Sequence, residues 1–173
     1  MAATVELKIY TGTAGSETEH PSSGDASNWN LMSIDDYDDT GTDYQDHPIQ
    51  VPESGTNYSY ERWMRLRFSG TFNKIENIKA WHSAGTLSDA NLDLLAGVTD
   101  TYSTPTNSAS SIATTTLSGW DSEPEALDLT PTGGITSSPG YSKYLVVQLK
   151  VPSTVTTPGD IGTQTITFQY DES

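Results

Sequence analysis

Arg62-Trp63-Met64-Arg65-Leu66-Arg67-Phe68-Ser69-Gly70-Thr71 decides how this chain is to be read. Met64, Leu66 and Phe68 alternate with Arg65 and Arg67, which places three apolar side chains on one face of an extended strand and two guanidiniums on the other. A helical period would scatter both sets around the axis, so the stretch is a strand. The turn-like Ser69-Gly70-Thr71 leads into Ile75, Ile78, Ala80 and Trp81, a second strand. Working outward, Val5, Leu7 and Ile9 alternate with Glu6 and Lys8, a half-buried strand near the N-terminus. Tyr144 to Val151 is an apolar, β-branched run suited to a central strand covered on both faces. Ile166, Phe168 and Tyr170 alternate with Thr165, Thr167 and Gln169, a last strand expected to lie against that central one, with Pro152 and Pro158-Gly159 bracketing the loop between them. One short helical turn is expected from Ser88 to Ala96, capped by Ser88 or Asp89 and ended by Gly97. The pattern predicts an all-β chain, an antiparallel β-sandwich of immunoglobulin-like or jelly-roll type, forming a single domain over 1–173 with a long acidic loop region at about 11–57.

Composition narrows the function classes. The 173 residues carry 8 Lys+Arg against 23 Asp+Glu, a formal net charge of −15, with 34% hydrophobic and 18% charged residues. Too little of the chain is helix-forming for a coiled coil. No run approaches a membrane span, and the N-terminus lacks the basic start and apolar middle of a signal peptide, so the chain is expected to be made and used in solution. With no cysteine, disulfides, thiolate zinc sites and cysteine nucleophiles are excluded. So negative a chain repels phosphate backbones and anionic head groups, so neither nucleic acid nor a membrane is expected as partner.

Charge order says more than the sum. Ile9 to Glu61 holds eleven acids and no Lys or Arg; Arg62, Arg65, Arg67, Lys74 and Lys79 then fall within eighteen positions containing one acid, Glu76. Ala80 to Ser142 again has seven acids and no Lys or Arg. This basic segment either pairs with acidic loops of its own chain or docks on another acidic surface, and internal pairing is the simpler expectation.

Candidate chemistry is sparse. Asp35, Asp36, Asp38, Asp39, Asp43 and Asp46 gather on one loop, and Asp36, Asp38, Thr40 and Gly41 imitate the opening of a calcium-binding EF-hand loop. The twelfth position in that register is His47 rather than a bidentate Glu, so Asp36, Asp38 and Asp43 stand only as weak calcium candidates beside the reading of a solvated, self-repelling loop, and no metal or other cofactor is expected. His20, His47 and His82 lack zinc-ligand spacing, and no nucleophile elbow or phosphate loop occurs. Carboxylate pairs for glycoside cleavage carry no signal where acids are everywhere, and the chain is not expected to be an enzyme. Trp63 and Trp81 lie on strands, where burial is expected, whereas Trp29 and Trp120 sit in polar surroundings that suit exposure, for a sugar-stacking platform or a protein interface.

From Arg62 through Gly70-Thr71-Phe72-Asn73 to Ile78-Lys79-Ala80-Trp81, the chain resembles tailed-bacteriophage virion proteins that share an Arg-rich strand, a Gly-Thr-Phe-Asn turn and an Ile-Lys-x-Trp strand. Gly97 to Tyr102, Pro105-Thr106, Ser111 to Thr114 and Thr165 to Glu172 fit the same resemblance, which covers about two-thirds of the chain, from Tyr60 onward. It implies a head decoration, or cement, protein: a small all-β module, made in the host cytoplasm, that binds the major capsid protein on the outer capsid surface and stabilises the shell. By the same analogy it implies a homo-oligomer, a trimer, with a tail component as the alternative within the class. In such a protein Trp29, Tyr37 and Tyr44 would anchor the acidic loop on a partner, Arg62, Arg65 and Arg67 would offer salt-linked contacts, and the strand Val5 to Ile9 would add to a capsid strand edge. The rival from another class is a carbohydrate-binding β-sandwich module, calcium-assisted through the Asp-rich loop.

Overall fold

The computed structural model describes residues 2–26 and 29–173. It is 36% strand and 6% helix, built as two packed antiparallel sheets, so the expectation of an all-β sandwich is met. The strands in chain order are β1 (Thr4–Thr11), β2 (Thr18–His20), β3 (Thr56–Tyr58), β4 (Arg62–Ser69), β5 (Ile75–Ala84), β6 (Asp93–Thr99), β7 (Leu127–Asp128), β8 (Gly140–Tyr141), β9 (Tyr144–Pro152) and β10 (Thr165–Glu172). A single helical turn, α1 (Asp43–Asp46), interrupts the acidic loop.

The larger sheet grows around β4. On one side it pairs with β1, matching Val5 to Phe68, Leu7 to Leu66 and Ile9 to Met64, and β2 extends that side through Ile9 to His20. On the other side β4 meets β9 through Met64 and Leu145, then β8 through Phe68 and Gly140. Ser142 bridges β8 and β9: its N–H donates to Leu66 O at 3.0 Å, while Leu66 N–H donates to its Oγ at 3.0 Å. β6 runs along the far edge of β9, with Leu94 opposite Leu149 and Ala96 opposite Val147, and β3 joins the end of β9 through Thr56 and Pro152. β6 corrects the expected helical turn over 88–96. Asp93-Leu94-Leu95-Ala96-Gly97 is extended because its backbone completes the ladder of β9, a tertiary gain that outweighs the helix preference of Leu and Ala.

The smaller sheet is β10-β5-β7. β10 therefore does not lie against β9, as its sequence suggested; it pairs with β5, placing Thr167 opposite Trp81 and Gln169 opposite Lys79. Both edges of β9 are already filled by β4, β3 and β6, so the closing strand finds its partner in the other layer. Asn77, at φ 52°, marks the irregularity where β5 gains a residue on β10, and its Nδ2 donates to Asp171 Oδ2 at 2.7 Å.

Between the sheets Ile9, Met64, Leu66, Phe68, Leu145 and Val147 meet Ile75, Ile78 and Ala80. Trp120 is buried in this core and donates Nε1–H to Leu94 O at 3.1 Å, correcting the exposed ring that its polar neighbours Gly119 and Asp121 suggested. The opposite face of the larger sheet is covered too. Tyr10, Trp63, Tyr144 and Val146 pack there under Tyr102 and Ala113 of the segment after β6. That segment approaches so closely that a Cβ on Gly97 would fall 1.9 Å from Ile112 O.

Candidate interaction surface

The arginines that dominate the sequence are committed inside the chain. Arg62 shares the parity of Met64, Leu66 and Phe68 and points inward. It is 1% exposed, and donates from one terminal nitrogen to Asp36 O at 2.5 Å and from the other to Asn30 O at 2.7 Å. Burial lowers its pKa against the opposing fields of Asp35, Asp36 and Asp38. This placement removes Arg62 from any partner surface, correcting the salt-linked contact expected of it. Arg65, on the other face, lies 4.0 Å from the ring centre of Tyr141, 4.4 Å from Tyr144 and 4.6 Å from Tyr10, and its Nε–H donates to Tyr10 Oη. Arg67 pairs with Glu6 at 2.7 Å, and Lys8, fully buried beside them, reaches Glu6 at 3.2 Å and the carbonyls of Pro21 and Gly24. The Arg67 guanidinium and the Lys8 ammonium hold Glu6 below the usual carboxylate range. Strand β1, expected to add to a foreign edge over Val5 to Ile9, pairs with β4 along one edge; on the other, β2 covers only Ile9 to Thr11, and Leu7 is met by Asp25 and Ala26, its N–H donating to Asp25 Oδ1 at 2.8 Å and its carbonyl accepting Ala26 N–H at 2.9 Å.

The acidic loop is ordered by the same economy. Asp38, 2% exposed, accepts Gly41 N–H at 2.6 Å, Thr42 N–H at 3.0 Å and Asn30 Nδ2 at 2.7 Å. Burial alone would raise its pKa, but the donors from Asn30, Asp43, Gly41 and Tyr44 prevail and lower it. Asp43 accepts from Thr40 Oγ1, and Asp36 caps the N–H of Tyr37. The three weak calcium candidates thus serve as acceptors for N–H and O–H donors of their own loop. Among the described residues no group of three or more His, Asp or Glu is placed to hold a metal ion. Asp35 behaves oppositely: burial raises its pKa, partly offset by Gly12 N–H at 2.8 Å.

Trp29, Tyr37 and Tyr44, the expected anchors, fare differently. Tyr37 is half-buried and stacks on His20 with ring centres 5.0 Å apart, binding the loop to its own sandwich. Trp29 packs partly against the main core and partly lines a cleft of about 360 Å³ with Asn30, Tyr44, Asp160 and Gln164. Tyr44 also lines the adjoining groove of about 410 Å³, whose floor is Leu149 and Val151 of β9 and whose walls include Ile49, Val155 and Ile161. Leu149 and Val151 are only 2% and 3% exposed, so the open apolar surface of the groove is contributed by its walls. The acidic loop forms one wall and the β9–β10 loop the other, so the groove lies between two loops packed over the end of β9. Val51, 37% exposed, is at its mouth, the one exposed large hydrophobic side chain among the described residues.

Sequence reading missed the second wall and the residue that holds it. Asp89 accepts Thr156 N–H at 2.8 Å, Thr157 N–H at 3.0 Å, Thr156 Oγ1 at 3.1 Å and Asn91 N–H at 2.8 Å, clamping residues 154–157 from the turn before β6. The Asn91 and Thr156 backbone donors, followed by the Asn91 side chain, keep its carboxyl far below the usual range. Its only sequence signal was the Ser88-Asp89 cap pattern, which caps the loop rather than a helix. No helix among the described residues is long and apolar enough to cross a membrane. No protein-family model matches the chain, and no curated protein or solved structure matches it either.

Proposed function

We propose that this chain is a structural binding module of a virion, a head decoration protein that seats on the outer surface of the capsid shell and stabilises it. The observation that carries the reading is the partly open apolar groove on a sandwich whose three arginines are engaged within the chain. A cement protein needs no chemistry; it needs a rigid body with an uncovered apolar patch that a partner can fill. The groove supplies the patch, and the capped walls at Asp38 and Asp89 supply rigidity. The residues that resemble phage virion proteins, Arg62 to Trp81, form β4, the crossing turn and β5, the connection that joins the two sheets, so the likeness rests on the scaffold.

Co-sedimentation with capsid shells stripped of accessory proteins tests the reading: saturable binding in a fixed ratio to the shell subunit is expected. Shells that pellet without it, with the protein recovered in tails instead, would overturn the head assignment. A second reading has one observation in its favour. Trp29 and Tyr44 beside Asn30, Asp160 and Gln164 combine ring faces with amide and carboxylate groups, as a sugar site does. Glycan-array binding lost with Trp29→Ala would establish it.

A further inference from the structure

We infer that the groove between the acidic loop and the β9–β10 loop takes an extended segment of a partner protein that carries an aliphatic anchor flanked by lysine or arginine. This rests on the reading of the chain as a binding module and names what that module holds.

The shape argues for an extended segment. The apolar groove shares Leu31, Tyr44, Asp160 and Ile161 with the cleft beside Trp29, and Pro48, Ile49 and Gln50 with a third depression of about 420 Å³ that ends at Asn57 and Tyr58. The apolar groove thus has a more polar cleft on one side and a more polar depression on the other, with residues 48–50 shared between the groove and the depression. An extended chain fits this profile, placing a side chain between the apolar walls at Ile49, Val51, Val155 and Ile161 while its backbone meets amide and hydroxyl groups on either side.

Charge selects the flanks. Asp160 and Asp46 are the acids lining the groove and its two neighbouring depressions, and no Lys or Arg lines any of the three; the loop from Val151 to Gln164 likewise contains Asp160 and no Lys or Arg. Asp160 lines the groove and Asp46 the adjoining depression, both exposed. The nearest cation in sequence, Lys150, alternates out of the groove, whose buried floor is Leu149 and Val151, and stands opposite Tyr58 on the face of the third depression, so the acidic bias belongs to the groove and the cleft beside Trp29. A rim of one sign repels acidic segments and draws basic ones, more strongly at low salt.

The test uses the full chain and two fluorescein-labelled hexapeptides sharing a Leu-Ile centre, one flanked by paired lysine and arginine, the other by paired glutamate and aspartate. By fluorescence anisotropy the basic peptide is expected to bind and weaken with added salt, and the acidic peptide not to bind. Ile161→Asp should weaken the basic peptide about tenfold by placing a charge against the anchor, and Asp160→Asn several-fold. Asp160 is exposed and accepts Gly162 N–H at 2.8 Å, so Asp160→Asn, which removes the charge and keeps an oxygen for that bond, keeps the test sharp should Ile161→Asp disturb the loop. Equal binding of both peptides, no binding of the basic one, or variants that bind as wild type would each overturn the inference. Shell sedimentation separates the two readings. Shells that take wild type and both variants equally leave decoration standing and remove the groove as its site. Peptide binding without shell binding keeps the groove and removes decoration.

Discussion

Arg62→Met is the most informative single substitution, because it replaces a buried cation by a side chain of similar length with no charge and no donor. Two charge-assisted hydrogen bonds, to Asp36 O at 2.5 Å and Asn30 O at 2.7 Å, disappear. Each such bond contributes about 1.5–3 kcal/mol. Against this, methionine escapes the desolvation of the guanidinium and its Nε, which is buried without a partner. The balance is a loss of about 2–4 kcal/mol, a large share of the roughly 5–15 kcal/mol that holds a domain folded. At about 2–4 °C per kcal/mol for a chain of this size, the midpoint of thermal unfolding falls by about 4–16 °C. Urea unfolding followed by tryptophan fluorescence reads the free energy, and limited proteolysis of residues 30–47 reads the loop that Arg62 anchors.

The pH dependence has a definite sign. Asp35 has its folded pKa raised, so its stabilising contribution is present below the unfolded pKa and is lost as pH rises through the folded one. Removing Arg62 takes away a cation that lowers the Asp35 pKa, raising it further, so the deficit of the variant is larger at about pH 7 than at about pH 4. A loss under about 1 kcal/mol with an equally protected loop would refute the anchoring role.

Three further outcomes follow from the same structure. Asp89→Ala should raise amide exchange across residues 153–163 while the exchange of β4 and β9 stays as in wild type; because the Asp89 pKa is depressed, the wild-type clamp holds above the unfolded pKa and loosens as pH falls through the folded one, and unchanged exchange in the variant would refute the clamp. Gly97→Ala should cost about 2–4 kcal/mol in urea unfolding, since its Cβ would meet the Ile112 carbonyl backbone at 1.9 Å, and a loss below about 1 kcal/mol would mean the covering segment yields freely. Tyr10, Tyr102 and Tyr144 all have pKa values raised first by burial, so in absorbance titration at alkaline pH they should ionise only as the fold is lost; their contribution is full below the unfolded pKa of about 10 and vanishes as pH rises through the folded values, and one reversible curve for all nine tyrosines would contradict it.

Much of the fold was legible because strand alternation is local. Met64, Leu66 and Phe68 against Arg65 and Arg67 read correctly from spacing alone, as did β1 and β9, since side-chain direction along an extended chain depends only on parity. The inward Arg62 was legible by the same parity, though its charge argued against burial. The charge order gave a similar hint: Arg62 lies in the field of the acidic loop, and Arg67 pairs with an acid of the neighbouring strand. What parity cannot supply is which surface covers each face. Lys8 alternates with apolar residues as an outward side chain should, yet it is fully buried because carbonyls of the 21–24 turn close over it. Trp120 sits among polar neighbours in sequence and in the core in space. Strand partners are also invisible locally: β10 pairs with β5, about ninety residues away, because β9 had no free edge to offer. The groove lies furthest from sequence reading, since its floor, its two walls and the carboxylates that cap them come from separate segments of the chain. Sequence by itself determined the long alternating strands β1, β4, β5, β9 and β10 and the sign of the surface, which are properties of neighbouring residues; tertiary structure decided β6, the strand pairing, the coverage of each face and the groove, which exist only once distant segments compete for the same edges and faces.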